Sequence, residues 1–146
     1  MKKIILFTVL SLVAFTSNGC SGSGDEATTI SRITLEVDGL TKVFNYITVD
    51  SSNPDLIIVH GQIGGSLIEV IEIDIYKGAT GTDAISNIIF TQNDVTYYSN
   101  IGNSVGTNVQ TNDSVERKLK GSFYGNFKTL SNTGKIIDNG SFTVSY

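Results

Sequence analysis

LIEVIEIDIY, residues 67–76, sets β-branched apolar residues against charged ones along the longest candidate strand of the chain. Its period of two is that of a strand with one face buried and one wet. The parity changes once: Ile68 and Val70 share one face, whereas Ile71, Ile73 and Ile75 share the other. A bulge near Val70-Ile71 would absorb the change, burying the apolar side chains and turning Glu69, Glu72 and Asp74 to solvent.

The same rhythm runs outward in both directions. Upstream, Ile33, Leu35 and Val37 alternate with Arg32, Thr34 and Glu36, and Asp38-Gly39 makes a hairpin turn that needs positive φ. Residues 41–49 return with Val43, Ile47 and Val49 on one face, which places Phe44 and Tyr46 on the other. A polar breaker at 50–54 holds the single proline, Pro54, and leads into a strand over 56–62 that Gly64-Gly65 ends. Downstream, strands are expected at 85–91 and 95–99, with a weak one near 105–109 inside a segment rich in Asn, Gly, Ser and Thr. Val115, Leu119, Phe123 and Phe127 mark the penultimate strand, and Phe142, Val144 and Tyr146 mark the last. About eight or nine antiparallel strands without a helix define an all-β domain over 30–146. A two-sheet antiparallel β-sandwich is the first expectation, and an up-and-down, lipocalin-like β-barrel the alternative; only the barrel would enclose a ligand.

The N-terminal segment reads differently. Lys2 and Lys3 precede an apolar run over 4–15, the length of a signal-peptide core and too short to span a bilayer. The run ends in Ser17-Asn18-Gly19-Cys20, which resembles the bacterial lipobox, although Ser17 stands where leucine is usual. The resemblance implies a signal peptide over 1–19, cleavage before Cys20, a diacylglycerol thioether on that residue and acyl chains, palmitate among them, that hold the protein to a membrane. Cys20 is the only cysteine, so its lipidation excludes disulfides, thiolate metal sites and a cysteine nucleophile together. Residues 20–29 form a small, flexible tether in which Asp25-Glu26 resembles the acidic mark of surface export in Bacteroidota.

Val37-Asp38-Gly39, Lys118-Leu-Lys-Gly-Ser-Phe123 and Asn139-Gly-Ser-Phe-Thr-Val144, taken together, resemble small secreted lipoproteins of Bacteroidota, most of them without assigned function. The resemblance spans the mature chain. It implies an all-β fold and an outer-membrane, cell-envelope location, and it carries over no catalytic residue.

Charge and composition narrow the chemistry. Without Lys2 and Lys3 there are eight basic residues against fourteen acidic ones, a net charge of −6. This argues against nucleic acid as a partner, because the one basic cluster, Arg117, Lys118 and Lys120, is small. His60 is the only histidine, at the end of a strand, and no G-x-S-x-G surrounds any serine, so a catalytic triad is not expected. One His and an acylated Cys cannot furnish a zinc set. Asp50, Asn53 and Asp55 lack the regular ligand spacing of a calcium loop, and Glu69, Glu72 and Asp74 line a solvated strand face, where nothing raises a pKa for acid catalysis. No cofactor is implied. Asp113-Ser114-Val115 matches the Bacteroidota O-glycosylation pattern, which makes Ser114 a candidate acceptor. Outward aromatics remain as binding candidates: Phe44, Tyr46, Tyr98 and Tyr124, side chains that can stack on a glycan or anchor a protein. The expected function is therefore a non-catalytic binding or accessory β-module on a lipid anchor, with a barrel carrier of an apolar ligand as the alternative.

Overall fold

Ten strands and no helix form within residues 30–102 and 104–146, which the computed structural model describes. They are β1 (Arg32–Val37), β2 (Leu40–Phe44), β3 (Tyr46–Asp50), β4 (Leu56–Ile63), β5 (Ser66–Tyr76), β6 (Ile85–Gln92), β7 (Val95–Tyr98), β8 (Gly106–Asp113), β9 (Lys118–Lys128) and β10 (Gly134–Ser145). The leader, the tether and Cys20 lie outside the described residues.

All ten belong to one antiparallel sheet with the order β2-β1-β10-β9-β7-β6-β5-β4-β3, and β8 pairs with β9 off this path. The two ends of the path are β2 and β3, yet only Asn45 separates them in the chain. A single bent segment thus pairs with β1 through its first half and with β4 through its second, and this draws the sheet edges together. In the same way β7 and β8 follow one another along β9, β7 at Lys128 and β8 over residues 118–124. With each of these pairs counted once, the ten strands occupy eight positions of a nearly closed, barrel-like meander. The fold is all-β, and of the two expected architectures it follows the barrel rather than two facing sheets. The physical reason is that most consecutive strands pair with each other, while β1 and β10 pair to bring the first and last strands side by side.

The interior is filled. Phe44, Phe90, Phe123, Phe127 and Phe142 are fully buried together with Ile33, Leu35, Ile57, Ile71, Ile73, Ile75 and Ile88. Phe90 meets Phe44 edge-on at 6.4 Å and stacks on Tyr97 at 6.3 Å. Room for such large rings comes from small partners: Phe142 lies over Gly121, its register partner on β9, in the space a Cβ would take.

Several local expectations are corrected. Residues 41–49 are not one regular strand, because Asn45 is an extra residue that flips the parity. Phe44, paired with Ile33, is therefore buried inside, and Val43 is 44% exposed. No bulge separates Val70 from Ile71: β5 pairs regularly with β4 from Val70 through Tyr76, and the irregularity falls instead at Gln62/Ile63, beside the turn. Glu69 consequently shares the inward parity of Ile71. Val115 lies in the β8–β9 turn, 91% exposed, rather than in β9, and β10 begins at Gly134, well before Phe142.

Candidate functional site

The outward tyrosines do not form one patch. Tyr46 is 58% exposed on β3, whereas Tyr124 is 61% exposed on β9, and four strand positions lie between them in one direction and two in the other. Tyr98 faces outward from β7 opposite Lys128, and its neighbour Tyr97 points into the core. The register position of Tyr98 on β9, Lys128, is four residues from Tyr124, about 13 Å along a strand. Phe44 leaves the set because it is buried.

Tyr124 has the most developed surroundings of the three that remain. Strict alternation along β9 points its side chain outward while Phe123 enters the core. Its register partner on β8 is Gly106, and a Cβ built there would fall 2.5 Å from Tyr124 Cζ and 2.7 Å from Oη. The ring therefore lies across the backbone of β8 with its other face open to solvent. Two grooves of about 390 and 380 Å³ flank it, sharing Ser122 and Tyr124 as common lining. The first adds Asp83, Thr107 and Asn108, and the second adds Asp138 and Asn139. Thr107 Oγ1 donates to the Thr82 carbonyl at 2.5 Å, which fixes the β5–β6 loop against β8; Asn139 Nδ2 donates to Glu36 Oε2 at 3.1 Å. The sequence signalled Tyr124 through parity. Gly106, Asp83, Asn108, Asp138 and Asn139 carried no signal, because strand pairing and loops bring them together from distant parts of the chain.

The remaining candidates lie elsewhere. His60 is outward on β4, its Nδ1 3.2 Å from Glu72 Oε2 on β5, with Thr48 as its register partner on β3. This row sits on the convex face of the sheet. Asp74 lies one pair further along; burial first, and then the Glu72 charge, raise its pKa against the lowering effect of His60. Glu69, by contrast, joins an inward polar network at one end of the barrel. Lys42 Nζ donates to both its oxygens at 2.7 and 2.9 Å, Gln92 Nε2 donates to Oε1 at 2.9 Å, and Lys135 Nζ donates to Gln92 Oε1 and Asp38 Oδ2. Burial acts to raise the Glu69 pKa, but these hydrogen bonds and the charges of Lys42 and Lys135 outweigh it, and the net shift is downward.

At the opposite end, a depression of about 490 Å³ is lined by Ser51, Ile57, Lys77, Asn112, Arg117 and Tyr146 among others. Its cations are engaged: Lys77 Nζ donates to the Ser51 carbonyl at 2.8 Å, and Arg117 stacks 5.2 Å above the Tyr146 ring. Ser114 borders it, exposed in the β8–β9 turn, where Asp113 Oδ1 accepts the backbone N–H groups of Val115 and Glu116. The 50–55 loop is a polar turn of the same type. Asp50 Oδ1 accepts from Ser52 N, which lowers the Asp50 pKa, and Asn53 Oδ1 accepts from Asp55 N and Leu56 N. Among the described residues, no three His, Cys, Asp or Glu side chains are grouped to hold a metal ion.

No known protein family matches the chain, and neither a curated protein nor a solved structure is significantly similar to it. What can be inferred of function rests on the residues themselves.

Proposed function

We propose that this chain is a lipoprotein of the bacterial cell envelope, held in the outer membrane by a lipid on Cys20, whose β-domain is a non-catalytic binding or accessory module for a glycan or a protein. The leader carries the reading: a basic start, a short apolar run and a lipobox-like ending at the chain's only cysteine. Asp25-Glu26 in the tether favours the surface-facing side, and the likeness to small secreted lipoproteins of Bacteroidota agrees with this placement.

Two features of the domain support a module that works from its surface. The phenylalanines that fill the interior occupy the space a carrier would give to an apolar ligand. The chain enters the domain at the end where Ser31 Oγ donates to the Ser145 carbonyl and accepts from Ser145 N. Tyr124 lies six residues along β9 from that end, about 20 Å by strand rise, clear of a membrane to which the N-terminus is tied.

The anchor is tested with Cys20→Ala. The parent protein is expected in the detergent phase of a phase-partition assay and the variant in the aqueous phase. A variant as membrane-associated as the parent removes the lipid anchor. Protease treatment of intact cells then reports orientation, since only a surface-facing domain is cut.

A further inference from the structure

Tyr124 is held as a flat platform, and each groove beside it offers polar groups next to an apolar one. We propose that the Tyr124 ring and its two flanking grooves form a binding site for a neutral saccharide chain; this rests on the binding-module reading above and gives it a site and a ligand class.

Three observations converge on that chemistry. An aromatic ring with one face seated on backbone and the other open is preorganised to stack on the apolar C–H face of a sugar, with little side-chain entropy left to lose. Gly106 makes the seat, since any side chain there would occupy the position of the ring. The groove walls then supply what hydroxyls need. Asp83 and Asp138 accept hydrogen bonds, Asn108 and Asn139 both accept and donate, and the Ser122 hydroxyl lies between them. Charge selects among sugars: each groove carries a carboxylate and neither is lined by a lysine or arginine, so uronates, sulfated glycans and phosphates are repelled. The continuity of the two grooves through Ser122 and Tyr124 suits a chain that crosses the ring rather than a single sugar. A protein partner would more naturally seek an aromatic ringed by large apolar neighbours that exclude water, whereas here each groove sets a carboxylate and an amide beside Val105 or Phe123.

The experiment uses the full chain in a zwitterionic detergent that has no sugar head group. It is titrated calorimetrically with cellohexaose, maltohexaose and mannohexaose, and with hexagalacturonate as the charged counterpart. Saturable binding of at least one neutral hexaose is expected, with no measurable binding of hexagalacturonate. Tyr124→Ala should weaken that binding by about tenfold or more, and Tyr124→Phe should keep it within about twofold. Gly106→Val retains the tyrosine but unseats its ring, so it should weaken binding to a similar degree, whereas Tyr46→Ala and Tyr98→Ala should not. Matching melting temperatures for the parent and the exposed-site variants establish that folding is intact. Absence of binding by every neutral hexaose, or tighter binding of hexagalacturonate, overturns the ligand class. Neutral binding that survives Tyr124→Ala overturns the site while leaving the binding-module reading in place. The lipid anchor is judged separately, by the Cys20→Ala partition.

Discussion

Glu69 and Asp74 are carboxylates on one strand, five residues apart and therefore on opposite faces, and the protein treats them in opposite ways. Glu69 points inward at the barrel end, accepts from Lys42 and Gln92 and is held more acidic than usual. Asp74 points outward on the side wall, yet its Oδ1 is out of contact with solvent and has no hydrogen-bond partner, and its pKa is raised. Orientation alone would predict the reverse. What decides the state of each carboxylate is its immediate surroundings: a cation and an amide that outweigh burial at one, burial and then the Glu72 charge at the other.

The contrast is broken most severely at Glu69. Glu69→Ala strips Lys42, whose side chain is only 13% exposed, of both carboxylate oxygens and takes an acceptor from Gln92. Leaving an ammonium half-buried and unpaired should cost about 2–3 kcal/mol, roughly 10 °C in melting temperature. With six tyrosines and no tryptophan in the chain, unfolding in urea is followed by tyrosine fluorescence or circular dichroism. A loss below about 0.5 kcal/mol would show that water already supports Lys42. The double variant Lys42→Met, Glu69→Leu sharpens the point. Removing both charges while keeping volume should leave stability within about 1 kcal/mol of the parent, so the single variant's penalty is that of an orphaned cation and not of lost packing.

A smaller effect of opposite sign is expected at Asp74. Asp74→Asn removes the charge that Glu72 opposes and keeps the shape, and should stabilise the domain at neutral pH by about 0.5–1 kcal/mol. Destabilisation instead would mean that the carboxylate has a favourable partner, with His60, which acts to lower its pKa, the candidate.

The same pair marks how far the sequence could be read. Strict alternation made Ile71, Ile73 and Ile75 legible as core and Glu72 and Asp74 as outward, and along β9 it made Phe123 inward and Tyr124 outward. Parity failed where the chain inserts a residue without a compositional sign of it. Asn45 turned Phe44 into the core, whereas Glu69 was misplaced by expecting a bulge at Val70-Ile71 where the alternation in fact runs unbroken from Glu69 to Ile73. The choice between sandwich and barrel was likewise out of reach, because it depends on β1 meeting β10, a pairing of residues a hundred or more positions apart. For the candidate site, the aromatic was visible and its seat was not: Gly106 lies under Tyr124 only because β8 pairs with β9 in that register.

The subtlest consequence of the contrast lies in the pH dependence of stability. Glu69 has a folded pKa below its ordinary 4.5, so the stability it contributes is complete above that value and is lost as pH falls from 4.5 through the lowered folded pKa. Asp74 has a folded pKa above its ordinary 3.8, so its cost is complete above the raised value, shrinks as pH falls through it and is gone below 3.8. Acidification from neutral pH should therefore relieve the domain slightly at Asp74 and, below 4.5, weaken it at Glu69. The advantage of Asp74→Asn over the parent should fade as pH falls towards 3.8, whereas the penalty of Glu69→Ala should hold down to about 4.5 and shrink below it. Differences of a few tenths of a kcal/mol are expected here, because Asp74 is partly solvated, and parallel urea titrations at closely spaced pH values resolve them. An advantage of Asp74→Asn that stays constant down to pH 3.8 would mean that the carboxylate's charge is not its source, and the opposition between the two faces of β5 would then be one of packing rather than of electrostatics.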